Sequence, residues 1–250
     1  GEVIPVNLSR ALIHNGGDKI SGMVCVASDI TERKLVEKQI SESLREKEIL
    51  LAEIHHRVKN NLAVVSGLLQ MKIWEAENKA AETALKDSQL RVHSIALVHE
   101  KLYQSESLSF IKFDKYIDDL LQAIKSTYAD SSGSIMIKTE LDEVALNINQ
   151  AIPCSLLLNE LVINAFKHAF TDNAEGEIAI KLWKEHGDNT IHLRVKDDGR
   201  GISEEHKVSE PETLGMSLID TLVHQLGGDI RVYNDAGAVF EVNFVREEVV

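Results

Sequence analysis

Apolar positions along the chain change period twice. Over residues 1–30 they fall in short runs, Val3-Ile4-Pro5-Val6-Asn7-Leu8, Ala11-Leu12-Ile13 and Gly22 to Ala27, with Asn15-Gly16-Gly17-Asp18 set between them. Runs of this length around a glycine- and asparagine-rich turn predict short strands, and thirty residues cannot enclose a core of their own. From about Thr31 to Glu77 the pattern becomes helical: Ile40, Leu44, Leu51, Ile54, Val58, Leu62, Val65 and Leu69 recur three, four or seven apart, with no proline and Gly67 as the single glycine. Asp29 and Thr31 are candidate caps for this helix, and its apolar stripe is a coiled-coil or bundle seam. A second helix, from about Ala80 to Tyr103, carries Leu85, Val92, Ile95 and Leu102 after a short polar break near Asn78. Two long helices so closely joined predict an antiparallel hairpin. Its exposed face calls for a cover, most simply a second copy making a four-helix bundle, or else other segments of the same chain.

Beyond about Leu108 helix and strand alternate. Helices are predicted at 113–127, 150–170 and 214–226, and strands at 134–141, 177–184, 190–197, 229–234 and 238–245. His186-Gly187-Asp188-Asn189 joins the second and third of these strands as a hairpin. The order is that of an α+β sandwich with helices on one face of a sheet.

Composition narrows the field. With 44% apolar and 27% charged residues in 250, the chain is globular, sized for one large domain or a few small ones. Forty acidic against 27 basic residues leave a net charge of −13, which excludes a general grip on a nucleic-acid backbone. Cys25 and Cys154 lie far apart with no CxxC nearby, arguing for buried small side chains in a reducing cytosol and against a structural zinc. No apolar run reaches the length of a membrane span, so a cytoplasmic chain is expected, though a membrane anchor upstream of Gly1 stays open.

The densest polar cluster of the first helix is Glu53-Ile54-His55-His56-Arg57-Val58-Lys59-Asn60-Asn61-Leu62. At 100° per residue Leu51, Ile54, Val58 and Val65 share one stripe, His55 lies on its flank, and His56 points almost opposite, toward solvent. Lys59 and Asn60, three and four residues on, share that side. An exposed neutral imidazole can attack a phosphoryl group, yet the same pattern also suits a plain solvated helix face. Adjacent, diverging histidines do not make an i, i+4 zinc pair.

Further on, Asn159-Glu160-Leu161-Val162-Ile163-Asn164-Ala165-Phe166-Lys167-His168-Ala169 sets Glu160, Asn164, Lys167 and His168 along one helix stripe. A carboxylate, an amide and two basic groups suit hydrated Mg²⁺ and phosphates, or simply face water while Leu157, Leu161 and Ala165 pack. Lys196-Asp197-Asp198-Gly199-Arg200-Gly201 supplies glycines for close backbone approach, a pattern that ordinary turns share. Thr213-Leu214-Gly215-Met216-Ser217-Leu218 opens a helix whose free N–H groups can meet an anion. The polar segment 202–212 between them reads as a lid or as a surface loop.

Taken in order, these motifs resemble the sensor histidine kinases from Leu50 to Phe244: a dimerisation and phosphotransfer hairpin, then a Bergerat-type ATP-binding domain of the GHKL superfamily. The E-I-H-H-R-V-K-N-N-L box, with the run Arg91 to Tyr103, is similar to the HWE-related subfamily in which arginine follows the acceptor. Gly1 to Lys34, ending Asp29-Ile30-Thr31-Glu32-Arg33-Lys34, resembles the last strands and exit motif of a PAS sensor domain. The resemblance implies three segments: 1–34 as the end of a PAS domain, 35–107 as signalling helix and hairpin, and 108–250 as the catalytic ATP-binding domain. It implies His56 as phosphoacceptor, ATP and Mg²⁺ as cofactors, Glu160 and Asn164 around the metal and its water, and Lys167 and His168 near the phosphates. Asp197 would bind the adenine amino group, while Gly199, Gly201, Leu214 and Gly215 shape the nucleotide cradle. Asn60 stands where other families place a Thr or Asn that orients water for phosphatase action. The implied partners are a second copy of the chain and a response-regulator receiver domain, whose aspartate takes the phosphoryl group. Two departures stand out: Gly237-Ala238 replaces Gly-Thr, and Arg57 replaces the acidic residue that serves as general base in commoner relatives. The motifs also admit a GHKL ATPase or serine kinase with a merely structural hairpin, or a dimeric signalling scaffold.

Overall fold

A computed structural model describes residues 3–14, 20–104, 110–128, 135–170, 175–185, 187, 189–202 and 214–247. The chain divides into two compact units, Gly1–Glu53 and Ile54–Val250.

In the first unit β1 (Val6–His14) and β2 (Ile20–Asp29) pair antiparallel, with Arg10 opposite Cys25 and a register shift at Ile13/His14. The two short runs expected at the N-terminus are thus one strand, because the ladder continues through Ser9 and Arg10. The expected turn at Asn15 to Asp18 lies outside the described residues. Cys25 is exposed rather than buried, as are Leu8, Leu12, Val24 and Val26 on this ribbon, so its burial on compositional grounds does not hold. Helix α1 (Thr31–Trp74) opens on the Asp29 carboxylate, which accepts from the Thr31 amide at 2.8 Å and its hydroxyl at 2.6 Å.

In the second unit the end of α1 runs antiparallel to α2 (Lys79–Gln104), whose N-terminus is capped by Asn78 Oδ1 accepting from the Ala81 amide at 2.9 Å. Gln89 donates to Ser66 O and to Gln70 Oε1, Lys59 pairs with Glu100 at 2.7 Å, and His55 meets His99 with their Nδ1 atoms 3.0 Å apart. These contacts across the hairpin are polar, while Ile73 near the end of α1 is buried. Meanwhile Val64, Val65, Leu68 and Met71 remain exposed on α1.

The rest is the expected α+β sandwich. Two short strands that the sequence reading missed, β3 (Phe110–Lys112) and β5 (Ala145–Asn147), pair with each other antiparallel. Between them come α3 (Phe113–Tyr128) and β4 (Ile135–Leu141). Helix α4 (Ile148–Asn164), N-capped by Asn147, ends in a π turn over Ala165–Ala169. Then follow β6 (Gly176–Lys184), β7 (Thr190–Asp197), α5 (Leu214–Gln225), β8 (Asp229–Asn234) and β9 (Ala238–Val245). The sheet order is β4-β6-β7-β9-β8, with β4 and β6 parallel and the other neighbours antiparallel. Alternate residues Ile178, Ile180, Leu182 on β6 and Ile191, Leu193, Val195 on β7 turn inward, the period-2 signature of a sheet with one buried face.

Helix α4 is buried on nearly all sides, between the sheet and α2. Leu90, Val98 and Leu102 of α2 enter the same continuous core as α3, α4 and α5. One face of the second hairpin helix is thus part of the wall of the α+β sandwich.

Candidate active site

Because α4 is central, its C-terminal end and π turn are rigidly held, and π turns commonly occur where a helix serves a site. Asn164, Ala165, His168 and Ala169 from this end line a cavity of about 490 Å³ with Asp197, Arg200, Gly201, Ile202, Met216, Ala238 and Phe240. That volume suits a nucleotide-sized ligand.

The loop after β7 is fixed by close approaches. A Cβ on Gly199 would run into the Ala169 carbonyl, whose oxygen also accepts from the Arg200 amide at 2.9 Å. Gly201 takes a positive φ of 73° beside Asn234, a backbone region that favours glycine. Asn234 then bonds Ile202 on both sides, accepting from its amide at 2.9 Å and donating to its carbonyl at 2.8 Å. Asp197 is buried, and its Oδ1 accepts from the amides of Gly199 at 3.0 Å and Ala238 at 3.1 Å. This leaves Oδ2 for the cavity that Asp197 lines. The Ala238 backbone does this work irrespective of the missing threonine hydroxyl.

Two expected site residues on α4 are placed behind this wall. Glu160 is buried, and Arg91 of α2 grips both its oxygens, Nε to Oε1 at 2.5 Å and Nη2 to Oε2 at 2.7 Å. Lys167 is paired with Asp87 of α2, whose other oxygen accepts from the Tyr128 hydroxyl at 2.6 Å. The Glu160 carboxylate holds the Arg91 guanidinium above its ordinary range. Burial, and then the bonded Asp87 carboxylate, push the Tyr128 phenol far up. Oxygens of Glu160 and Asn164 converge on the first turn of α5, each 4.0 Å from where a Cβ on Gly215 would sit. Two hard oxygens at a helix N-terminus are a donor set that fits a magnesium ion with its phosphates. The side chain of Leu214, most of the 202–212 segment and Thr213 lie outside the described residues.

On α1, His56 is exposed while His55 is buried against His99, as the helical spacing predicts. Asn60 Nδ2 lies 3.4 Å from His56 Nδ1. Lys59, expected beside His56, instead pairs with Glu100 across the hairpin. Burial lowers the basicity of both His55 and His99. Asp87, Arg91, Tyr128 and Asn234 are the site-supporting residues that sequence reasoning did not single out. Of these, Arg91 was visible as the first residue of the run Arg91 to Tyr103.

A sandwich whose central helix ends over such a cavity, closed by a glycine-bearing loop, defines the histidine kinase-, DNA gyrase B- and HSP90-like ATPase class, and that family's model matches residues 149–248. The HisKA_2 histidine kinase model matches residues 53–128. The sensor histidine kinase PdtaS of Mycolicibacterium smegmatis is 33% identical over 229 residues, 91% of this chain and 44% of that protein. PdtaS of Mycobacterium tuberculosis is also 33% identical, over 81% of this chain and 39% of its own length. A solved histidine kinase domain from a blue-light activated kinase of Erythrobacter litoralis superposes with a TM-score of 0.59 at 26% identity, covering 82% of this chain and 94% of that one. The chain belongs to the sensor histidine kinase family, in its HisKA_2, HWE-related branch. It spans less than half the length of the PdtaS relatives. Among the described residues no helix is long and apolar enough to cross a membrane.

Proposed function

We propose that this chain autophosphorylates His56 from ATP and passes the phosphoryl group to an aspartate of a response-regulator receiver domain. The observation that carries this reading is the pairing, in one chain, of an ATP-class cavity lined by Asn164, His168 and Asp197 with an exposed histidine whose ring nitrogen is met by Asn60. Asp197 Oδ2 accepts from the adenine amino group and His168 serves the phosphates, whereas Lys167, expected beside them, is held by Asp87 away from the cavity lining. Glu160 and Asn164 would hold Mg²⁺ and its water, and the ion would supply charge neutralisation on the phosphates.

With the Asn60 carboxamide oriented so that its oxygen accepts from His56 Nδ1–H, Nε2 keeps its lone pair for attack. The new bond forms between that nitrogen and the γ-phosphorus, and the bond to the bridging oxygen breaks. The electron pair leaves with ADP, and the ring proton goes to solvent. Chemistry of this kind depends on alignment and charge neutralisation more than on covalent help from the protein. No general base is assigned, since Arg57 follows the acceptor.

The same reading makes residues 1–34 the end of a PAS sensor, 35–107 the signalling helix and phosphotransfer hairpin, and 108–250 the catalytic domain. The exposed Val64, Val65, Leu68 and Met71 support a homodimer formed through α1. The test is incubation with γ-labelled ATP and Mg²⁺ beside His56→Ala and His55→Gln variants. An acid-labile, base-stable label lost only in His56→Ala is expected; label that survives in His56→Ala refutes the assignment.

A further inference from the structure

Glu160 on α4 and Lys167 on the π turn that ends it sit two turns apart, and each is met by a side chain of α2. Asp87 and Arg91, one turn apart on α2, form a ladder against them: Asp87 with Lys167, Arg91 with Glu160. Tyr128, at the end of α3, closes the ladder by donating to Asp87.

The Glu160 side chain is 3% exposed, against 29% for Arg91. A buried carboxylate needs a charge partner, and removing that partner is far costlier than the pair is stabilising. Lys167, the other cation on this stretch of α4, is already engaged by Asp87. Arg91 supplies the charge, and with a two-pronged geometry. Bonds from Nε and Nη2 to separate oxygens fix the plane of the carboxylate as well as its position. An ammonium group cannot do this. The oxygen held by Nη2 is also the one that faces the first turn of α5 beside Asn164.

A latch that releases Glu160 would require α2 to leave. Against that, Leu90, Val98 and Leu102 bury α2 in the core of the ATP-binding fold. The contact is built in rather than removable. We propose that Arg91, although it lies in the hairpin, is a positioning residue of the ATP site, aiming the Glu160 carboxylate at the metal and phosphate position. The proposal rests on the ATP-site reading above. It adds that the site is incomplete without a residue from the segment matched by the HisKA_2 model.

The experiment is a double-mutant cycle on the full chain, with Arg91→Ala, Glu160→Gln and the pair, read as ADP formed per chain at saturating Mg-ATP. ATP affinity is titrated separately, and thermal melting checks folding. A carboxylate misplaced by an ångström or so loses on the order of 10- to 100-fold in rate. Arg91→Ala is therefore expected to slow ADP formation by about that factor with ATP affinity kept within about threefold. In the Glu160→Gln background the same change should cost under about threefold, because the carboxylate it serves is gone. Arg91→Lys, which keeps the charge but not the fork, should recover only part of the rate, and it replaces Arg91→Ala in the cycle if the latter does not fold. An equal loss in both backgrounds, a loss confined to affinity, or a rate within threefold of the parent overturns the proposal. Label on His56 is followed in parallel. ADP without that label would refute the acceptor assignment and leave the cycle readable, whereas a parent chain that forms no ADP overturns both.

Discussion

On the proposed reading Asp197 has two jobs, anchoring its loop and receiving the adenine amino group, which its two oxygens divide, and one substitution separates them. In Asp197→Asn the carboxamide oxygen can remain where Oδ1 is, accepting from the Gly199 and Ala238 amides at 3.0 and 3.1 Å, so the loop keeps its anchor. The new NH₂ then occupies the place of Oδ2 and faces the cavity as a donor. An adenine amino group, itself a donor, loses its acceptor. A hydrogen bond to a charged group contributes about 1.5–3 kcal/mol, or roughly 10- to 150-fold in dissociation constant. The two retained backbone bonds lose only their charge assistance, so unfolding free energy should fall by about 1 kcal/mol. Calorimetric titration with ATP, beside urea unfolding of the same samples, reads both quantities. ATP bound within about threefold of the parent would refute the adenine assignment. Weakened binding accompanied by a stability loss above about 3 kcal/mol would refute the division of labour between the oxygens.

Leu102→Ala, at a side chain 1% exposed in the shared core, is expected to cost about 2–5 kcal/mol in urea unfolding. Val64→Ala, at a side chain 64% exposed, should cost under about 0.5 kcal/mol in dilute solution and more at concentrations where the proposed homodimer would form. His55 and His99 are both held below their ordinary range, chiefly by burial and, for His99, also by its neighbour. The unfolded chain therefore takes up protons that the folded one refuses. The stability they provide is present above about pH 6.5 and is lost as pH falls below it. Melting temperature followed from pH 7.5 to 5.5 should drop more steeply in the parent than in His99→Gln, and parallel curves would contradict this. Asn60→Ala should slow dephosphorylation of the receiver domain by roughly tenfold if its amide orients water for that step; an unchanged rate removes the role.

Period and punctuation made most of the fold legible. Strands at 190–197 and 229–234 alternate, and 238–245 is an apolar-rich run bounded by Gly237 and Arg246, clear enough in each case for the limits to coincide with the observed ones. By contrast β3 and β5 have three residues each, too few for any period to register. The docking face of α2 escaped for a different reason. Its buried stripe runs Asp87, Leu90, Ser94, Val98, Leu102, and two polar members hide it. Asp87 is buried because Lys167 and Tyr128 meet it, and Ser94 because its hydroxyl turns back to Leu90 O at 2.8 Å. Spacing found the cavity-lining set of Asn164, His168, Asp197 and Gly201, since the first two share one local motif and the last two another. It could not find Asn234, whose role depends on a glycine loop 32 residues earlier in the chain.

Because α2 lends Leu90, Val98 and Leu102 to the core beneath the ATP cavity, hairpin and ATPase fold are not interchangeable cassettes. A chimera that grafts this hairpin onto a foreign nucleotide-binding domain must also supply sockets for those three side chains and counter-charges for Asp87 and Arg91. Substitutions on α2 and α4 are thereby bound to change together during divergence, so that recombination between paralogues is penalised wherever it parts α2 from α4.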